Sequence, residues 1–266
     1  AITAGKGGVG KTNISVNLAL ALAKKKKQVM LFDADLGLAN IDVLLGLNAK
    51  YNLSHVMNNE CTLDDIMLSG PLGIKIIPSS SGIKHMTELD SRGYLGIVSA
   101  FNSITSPVDY LLVDTAAGIS EEVCSFVRSA QEVLVVVCDE PTSITDAYAL
   151  IKLLSKRYQV KKFNVLANMV RDPSEGRSLY SKLYRVSEQF LDVTLTYMGA
   201  VSYDEFVYQS VRKQQAVLMS YPNAKVSRDI KKIADKICLW PAVKQDTDKP
   251  NFFIEKNVLD VGSGDI

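Results

Sequence analysis

Ile2-Thr3-Ala4-Gly5-Lys6-Gly7-Gly8-Val9-Gly10-Lys11-Thr12 joins a short apolar run, a glycine-rich turn and the first residues of a helical stretch. The turn matches G-x-x-x-x-G-K-[ST], with Gly5, Gly10, Lys11 and Thr12 in the fixed places. A glycine loop between a strand and a helix lets backbone N–H groups turn inward, and the helix start adds the positive end of its dipole. Gly5, Lys6, Gly7, Gly8, Val9, Gly10, Lys11, Thr12 and Asn13 are therefore expected to hold the phosphates of ATP or ADP. Lys11 would neutralise the outer phosphates, and the Thr12 hydroxyl would bind Mg²⁺. The alternative, a glycine loop without a ligand, does not explain the strand before it and the helix after it.

Outward from this loop, apolar runs alternate with helical stretches along the chain. Strands are expected at 2–4, 29–33, 74–78, 110–114, 133–138, 163–168 and 195–201. Helices are expected at 11–26, 92–103, 120–130, 144–158, 178–189, 203–211 and 225–239. Such alternation specifies an α/β fold: a single P-loop domain whose mostly parallel sheet is flanked by helices on both faces. With 266 residues and 47% apolar content the chain can fill one such core. The expected domain covers 1–241.

Lys244-Gln245-Asp246-Thr247-Asp248-Lys249-Pro250-Asn251 is too polar to bury much, so 242–251 reads as a linker. The tail 252–266 gathers Phe252, Phe253, Ile254, Val258 and Leu259 near one helical face. Two readings of it stay open: a segment folded back onto its own domain, or a docking or membrane-surface helix.

Thirty basic residues against 29 acidic ones leave a formal charge of +1, so no overall field draws the protein to nucleic acid or an anionic membrane. The run Lys24-Lys25-Lys26-Lys27 closes the first helix, where cations favour the negative end of the dipole, and reads as a solvated helix end rather than a binding patch. Cys61, Cys124, Cys138 and Cys238 form no C-x-x-C and are read as reduced thiols. His55 and His85 have no partner spacing and read as surface or capping residues. No apolar run reaches the ~18 residues of a membrane span, and a cytoplasmic location is expected. Ala1-Ile2-Thr3-Ala4 reads as the second half of a strand, which implies residues upstream.

Asp33-Ala34-Asp35 stands at the C-terminal end of the second expected strand. Two carboxylates so spaced can face one metal-nucleotide site. Tyr110-Leu111-Leu112-Val113 delivers another acid, Asp114, to a loop containing Gly118. Asn168 ends a further strand, and its amide can both donate to and accept from adenine; a helix-capping role stays open beside that reading.

The fuller string Lys6-Gly7-Gly8-Val9-Gly10-Lys11-Thr12 resembles the deviant Walker A motif of the MinD/ParA ATPases. Phe32-Asp33-Ala34-Asp35-Leu36-Gly37-Leu38-Ala39-Asn40-Ile41-Asp42-Val43-Leu44-Leu45-Gly46-Leu47, followed by Tyr51-Asn52-Leu53-Ser54-His55-Val56, resembles the flagellar number regulators of that family, the FlhG (FleN/YlxH) group. The resemblance covers about residues 1 to 240. It implies an ATP-dependent homodimer with slow hydrolysis, in which Lys6 reaches the partner's nucleotide and Asp35 orients the attacking water. Asp33 and Asp114 would support the Mg²⁺ shell, and Gly118 would swing an N–H onto the γ-phosphate. Val201-Ser202-Tyr203-Asp204-Glu205-Phe206-Val207 resembles the segment that closes over the base, with Ser202 where proline is usual, which leaves the role of Asp204 open. Implied partners are an FlhF-like GTPase, a flagellar transcriptional activator, C-ring proteins and, through the tail, the cytoplasmic membrane. A GTPase-stimulating segment is implied upstream of Ala1. Direct nucleic-acid binding is not expected. Competing readings are a MinD-type division-site ATPase, a metabolic phosphotransferase on the same loop and a metal-cluster carrier.

Overall fold

The computed structural model describes residues 1–79, 89, 91–240 and 252. Eight strands form one sheet: β1 Ile2–Ala4, β2 Val29–Ala34, β3 Leu68–Ser69, β4 Lys75–Ile77, β5 Tyr110–Ala117, β6 Leu134–Val137, β7 Lys162–Val170 and β8 Thr194–Ser202. Their order is β3-β4-β2-β5-β1-β6-β7-β8. All neighbours run parallel except the short edge pair β3-β4, which the sequence did not signal. Every residue of β2 and β6 is buried, as continuous apolar runs covered on both faces should be.

Helices cover the two faces: α1 Lys11–Ala23, the short α2 Ile41–Leu44, α3 Leu53–Met57 and α4 Leu63–Ile66, then α5 Ser91–Ala100, α6 Glu121–Arg128, α7 Pro141–Tyr158 and α8 Pro173–Phe190. α9 Glu205–Arg212, α10 Val217–Ser220 and α11 Lys225–Ile237 complete them. The α/β fold, with one sheet between helical layers, is as the sequence specifies. α1 is apolar around most of its circumference because it is enclosed, packing on β2 and β5 on one side and α11 on the other. It stops at Ala23, before the lysine run, and Lys25 pairs there with Asp235.

α7 and α8 begin three and five residues earlier than the periodicity suggests, because Pro141 and Pro173 open them instead of interrupting the chain. Proline suits a first helical position, where its missing N–H is not needed. The Asp172 side chain caps α8 by accepting the Ser174 and Glu175 N–H groups.

His55 lies in a capping box with Asn52 at the start of α3; His85 falls outside the described residues. The boundary at 241, the linker 242–251 and the tail also fall outside them, apart from Phe252. That ring is buried in the cluster holding Phe32 and Phe126, edge-on to Phe101 at 4.9 Å.

Candidate functional site

The C-terminal ends of β1, β2 and β5 lie side by side, so the glycine-rich loop and the strand-end acids converge on one rim of the sheet. Open α/β sheets bind ligands along that rim. The loop is wedged tightly. A Cβ on Gly5 would fall inside the backbone of Asp146 on α7. Gly10 has φ +80° and its Cβ would lie 2.6 Å from Asn168 Nδ2, so only glycine fits there. Gly7 and Gly8 are exposed, with open space beside them. Val9 is buried and its carbonyl accepts from Asn168 Nδ2 at 2.8 Å.

Behind the loop a polar cluster is shut into the core. Lys11 Nζ donates to Asp114 Oδ1 at 2.8 Å, and Ser15 Oγ donates to the same oxygen at 2.7 Å. Ser15 is a site residue that sequence reading missed, although it stands one helical turn after Lys11 and shares its face. Thr12 Oγ1 and Asp114 Oδ2 have no hydrogen-bond partner among the described residues. Two free oxygens beside a phosphate loop suit a hard divalent cation.

Asp33 and Asp114 are register neighbours on β2 and β5. Burial first, and the Asp114 charge second, push the Asp33 carboxyl up to about 7, against backbone hydrogen bonds that pull it down. Those bonds come from Asp35, Asn40 and Ile41 N–H, at 3.3, 2.9 and 3.1 Å. Both Asp33 oxygens are therefore engaged with the loop that carries Asp35. Asp35 is half-exposed on that loop; its Oδ1 accepts the Leu38 N–H at 3.0 Å and its Oδ2 has no partner among the described residues.

Lys6 is ion-paired outside its loop. Its ammonium donates to Glu140 Oε2 at 2.6 Å and to Thr142 Oγ1 at 3.0 Å, at the start of α7. The Glu140 bond holds it above the ordinary lysine value. The Gly118 N–H donates to the Ala4 carbonyl at 2.9 Å, so reaching a phosphate requires that bond to open.

Beyond Gly10 a cavity of about 370 Å³ is lined by Asn13, Asn17, Asn168, Met169, Ser202 and Asp204, among others. Asn168 is fixed through its Nδ2, and its Oδ1 has no partner among the described residues. Asp204 lies on the wall, yet its oxygens accept the Phe206 N–H at 3.1 Å and the Val226 N–H at 3.4 Å, so its carboxylate serves helix starts. Ser202 donates both its N–H and its hydroxyl to Asp229 Oδ2, at 3.2 and 2.7 Å. Proline there could not supply the N–H. Glu122, in the first turn of α6, accepts the Leu36 N–H at 2.8 Å, and burial raises its carboxyl. No sequence signal marked Asp229 or Glu122.

Residues 1–238 match the ParA family profile described as NUBPL iron-transfer P-loop NTPase. The antiactivator FleN of Pseudomonas aeruginosa is 52% identical over 264 residues, covering 99% of this chain and 94% of that protein. The flagellum site-determining protein YlxH of Helicobacter pylori is 37% identical over 235 residues, covering 88% and 79%. The chain is a MinD/ParA ATPase of the FleN/YlxH group. Among solved structures, the septum site-determining protein MinD of Pyrococcus horikoshii, complexed with Mg-ADP, superposes with TM-score 0.71 at 22% identity, covering 88% of this chain and 93% of that one. MinD of Aquifex aeolicus gives TM-score 0.74 at 24% identity, covering 91% and 98%. The ParA-family match spans the glycine-rich loop and the acids at 33, 35 and 114, and ATPase activity follows from membership. The sequence has no C-x-x-C spacing, so the iron-transfer chemistry in the family description has no ligand pair of that kind here.

Proposed function

We propose that the protein is an ATP-dependent dimerisation switch, hydrolysing ATP slowly, that regulates the number and placement of flagella. The observation that carries the flagellar part is the 52% identity with the antiactivator FleN along 99% of the chain. The switch part draws support from Lys6, a cation within the loop that is anchored on Glu140 outside it.

In this reading Gly5, Gly7, Gly8, Val9, Gly10 and Lys11 hold the phosphates. Thr12 and, through water, Asp114 hold Mg²⁺, with Asp33 supporting that shell from behind. The ion supplies positive charge against the β- and γ-phosphate oxygens. Asn13 and Asn168 face the base. Because the Asn168 amide is fixed by the Val9 carbonyl, its Oδ1 presents an acceptor that suits the adenine amino group and opposes the guanine keto oxygen. Asp204 helps to shape the base pocket through the helix starts that it caps. Asp35 orients the attacking water, and Gly118 exchanges the Ala4 carbonyl for the γ-phosphate. Lys6 leaves Glu140 to reach the nucleotide of a second copy, so two chains complete each site.

The protein works in the cytoplasm and associates reversibly with the inner face of the membrane through the tail beyond Phe252, whose own ring is buried in the core. Among the described residues no helix is long and apolar enough to cross a membrane. An FlhF-like GTPase, a flagellar transcriptional activator and C-ring proteins are its partners.

Deleting the gene and counting flagella tests the role. Several polar flagella in place of one are expected. An unchanged number contradicts the reading, and minicells point instead to division-site selection.

A further inference from the structure

Residue 35 sits between two carboxylates that arrive from different parts of the chain. Its own N–H donates to Asp33 Oδ1 at 3.3 Å, and the next N–H, that of Leu36, donates to Glu122 Oε1 at 2.8 Å. The Leu36 side chain is fully buried in the cluster that also contains Phe126 of α6. The loop bearing Asp35 is thus gripped by α6 twice, through a hydrogen bond and through packing. α6 follows directly from Gly118, which is tied to Ala4, and from the Ser120 cap. An acid in the first turn of a helix has an ordinary explanation, since the helix dipole favours it. Glu121 meets that need as well, but its carboxylate accepts from Tyr158 on the far side. Glu122 crosses to the loop after β2.

We propose that Glu122 is a positioning residue for ATP hydrolysis: its hydrogen bond to Leu36 N–H ties the Asp35 loop to the start of α6, so that movement at Gly118 carries Asp35 with it. Glu122 touches neither phosphate nor water. Its effect therefore falls on turnover and not on nucleotide affinity. The inference rests on the reading of Asp35 as the water-orienting residue.

Steady-state hydrolysis separates the possibilities. Glu122→Met keeps the volume and removes the acceptor; it is expected to lower kcat ~10-fold, the order of one charge-assisted hydrogen bond, with KM for ATP unchanged. Glu122→Asp keeps the charge but withdraws the acceptor by one methylene, and is expected to be slow too; it carries the test if the Met variant does not fold. Glu122→Gln retains an acceptor oxygen and should restore most of the rate, and Glu121→Gln should match wild type. Wild-type turnover in both the Met and Asp variants overturns the proposal, as does a Gln variant no faster than Met, or a rise in KM that accounts for the loss. Asp35→Ala separates the two layers of the claim. If it abolishes turnover while the Glu122 variants hydrolyse normally, only this inference fails; if Asp35→Ala itself turns over normally, the reading beneath it fails.

Discussion

Lys11 and Asp114 form a closed ion pair, Nζ to Oδ1 at 2.8 Å, with 9% and 1% of their side chains exposed. The lysine of the glycine-rich loop is therefore held by the acid on β5, and Ser15 shares that acid.

Lys11→Met leaves Asp114 buried without its cation. Breaking such a pair from one side costs about 3 kcal/mol or more of folding stability. Denaturant unfolding should show that loss, and ATP titration should show no binding. An Lys11→Met protein that binds ATP as tightly as wild type contradicts the assignment.

The Asp33 carboxyl gives the folding stability a pH dependence. It ionises near 3.8 in an unfolded chain and at about 7 when folded, so between those values the folded state holds a proton that the unfolded state has released. The stability from this group is complete below the lower value and is lost as pH rises through the upper one. Melting temperature should therefore fall from pH ~5 to pH ~8 more steeply in wild type than in Asp33→Asn. Parallel profiles for the two proteins would remove Asp33 as the cause.

Much of this site was legible because its parts are contiguous. The loop from Gly5 to Thr12 and the acids at 33, 35 and 114 lie in short stretches whose strand–loop context reads directly. What could not be read are bonds between distant stretches: Leu36 to Glu122 spans 86 positions, Lys6 to Glu140 spans 134, and Ser202 to Asp229 spans 27. Nothing local in Glu122 or Asp229 distinguishes them from solvated helix acids. The starts of α7 and α8 were missed for a different reason, since a proline can either end a helix or begin one.

Ser202 marks a place where tertiary structure explains an unusual residue. Asp229→Ala removes the acceptor for both its N–H and its hydroxyl, and should lower stability by about 2 kcal/mol. Chemical unfolding of that variant provides the check; a change below a few tenths would mean the clamp on the cavity wall is idle.

The proposed reading of the base by Asn168 rests on its fixed amide. Asn168→Ala should erode the preference for ATP over GTP by ~10-fold, about the worth of one hydrogen bond to a base edge. Competition binding with the two nucleotides reads this directly, and an undiminished preference would assign selectivity elsewhere in the cavity.

Mass in solution with ATP and Mg²⁺ decides whether two chains complete each ATP site through Lys6. Wild type should double in mass, Asp35→Ala should double and stay doubled, and Lys6→Ala should bind ATP at the mass of a single chain. A wild-type mass that ignores ATP, or a Lys6→Ala protein that dimerises as wild type does, contradicts the account.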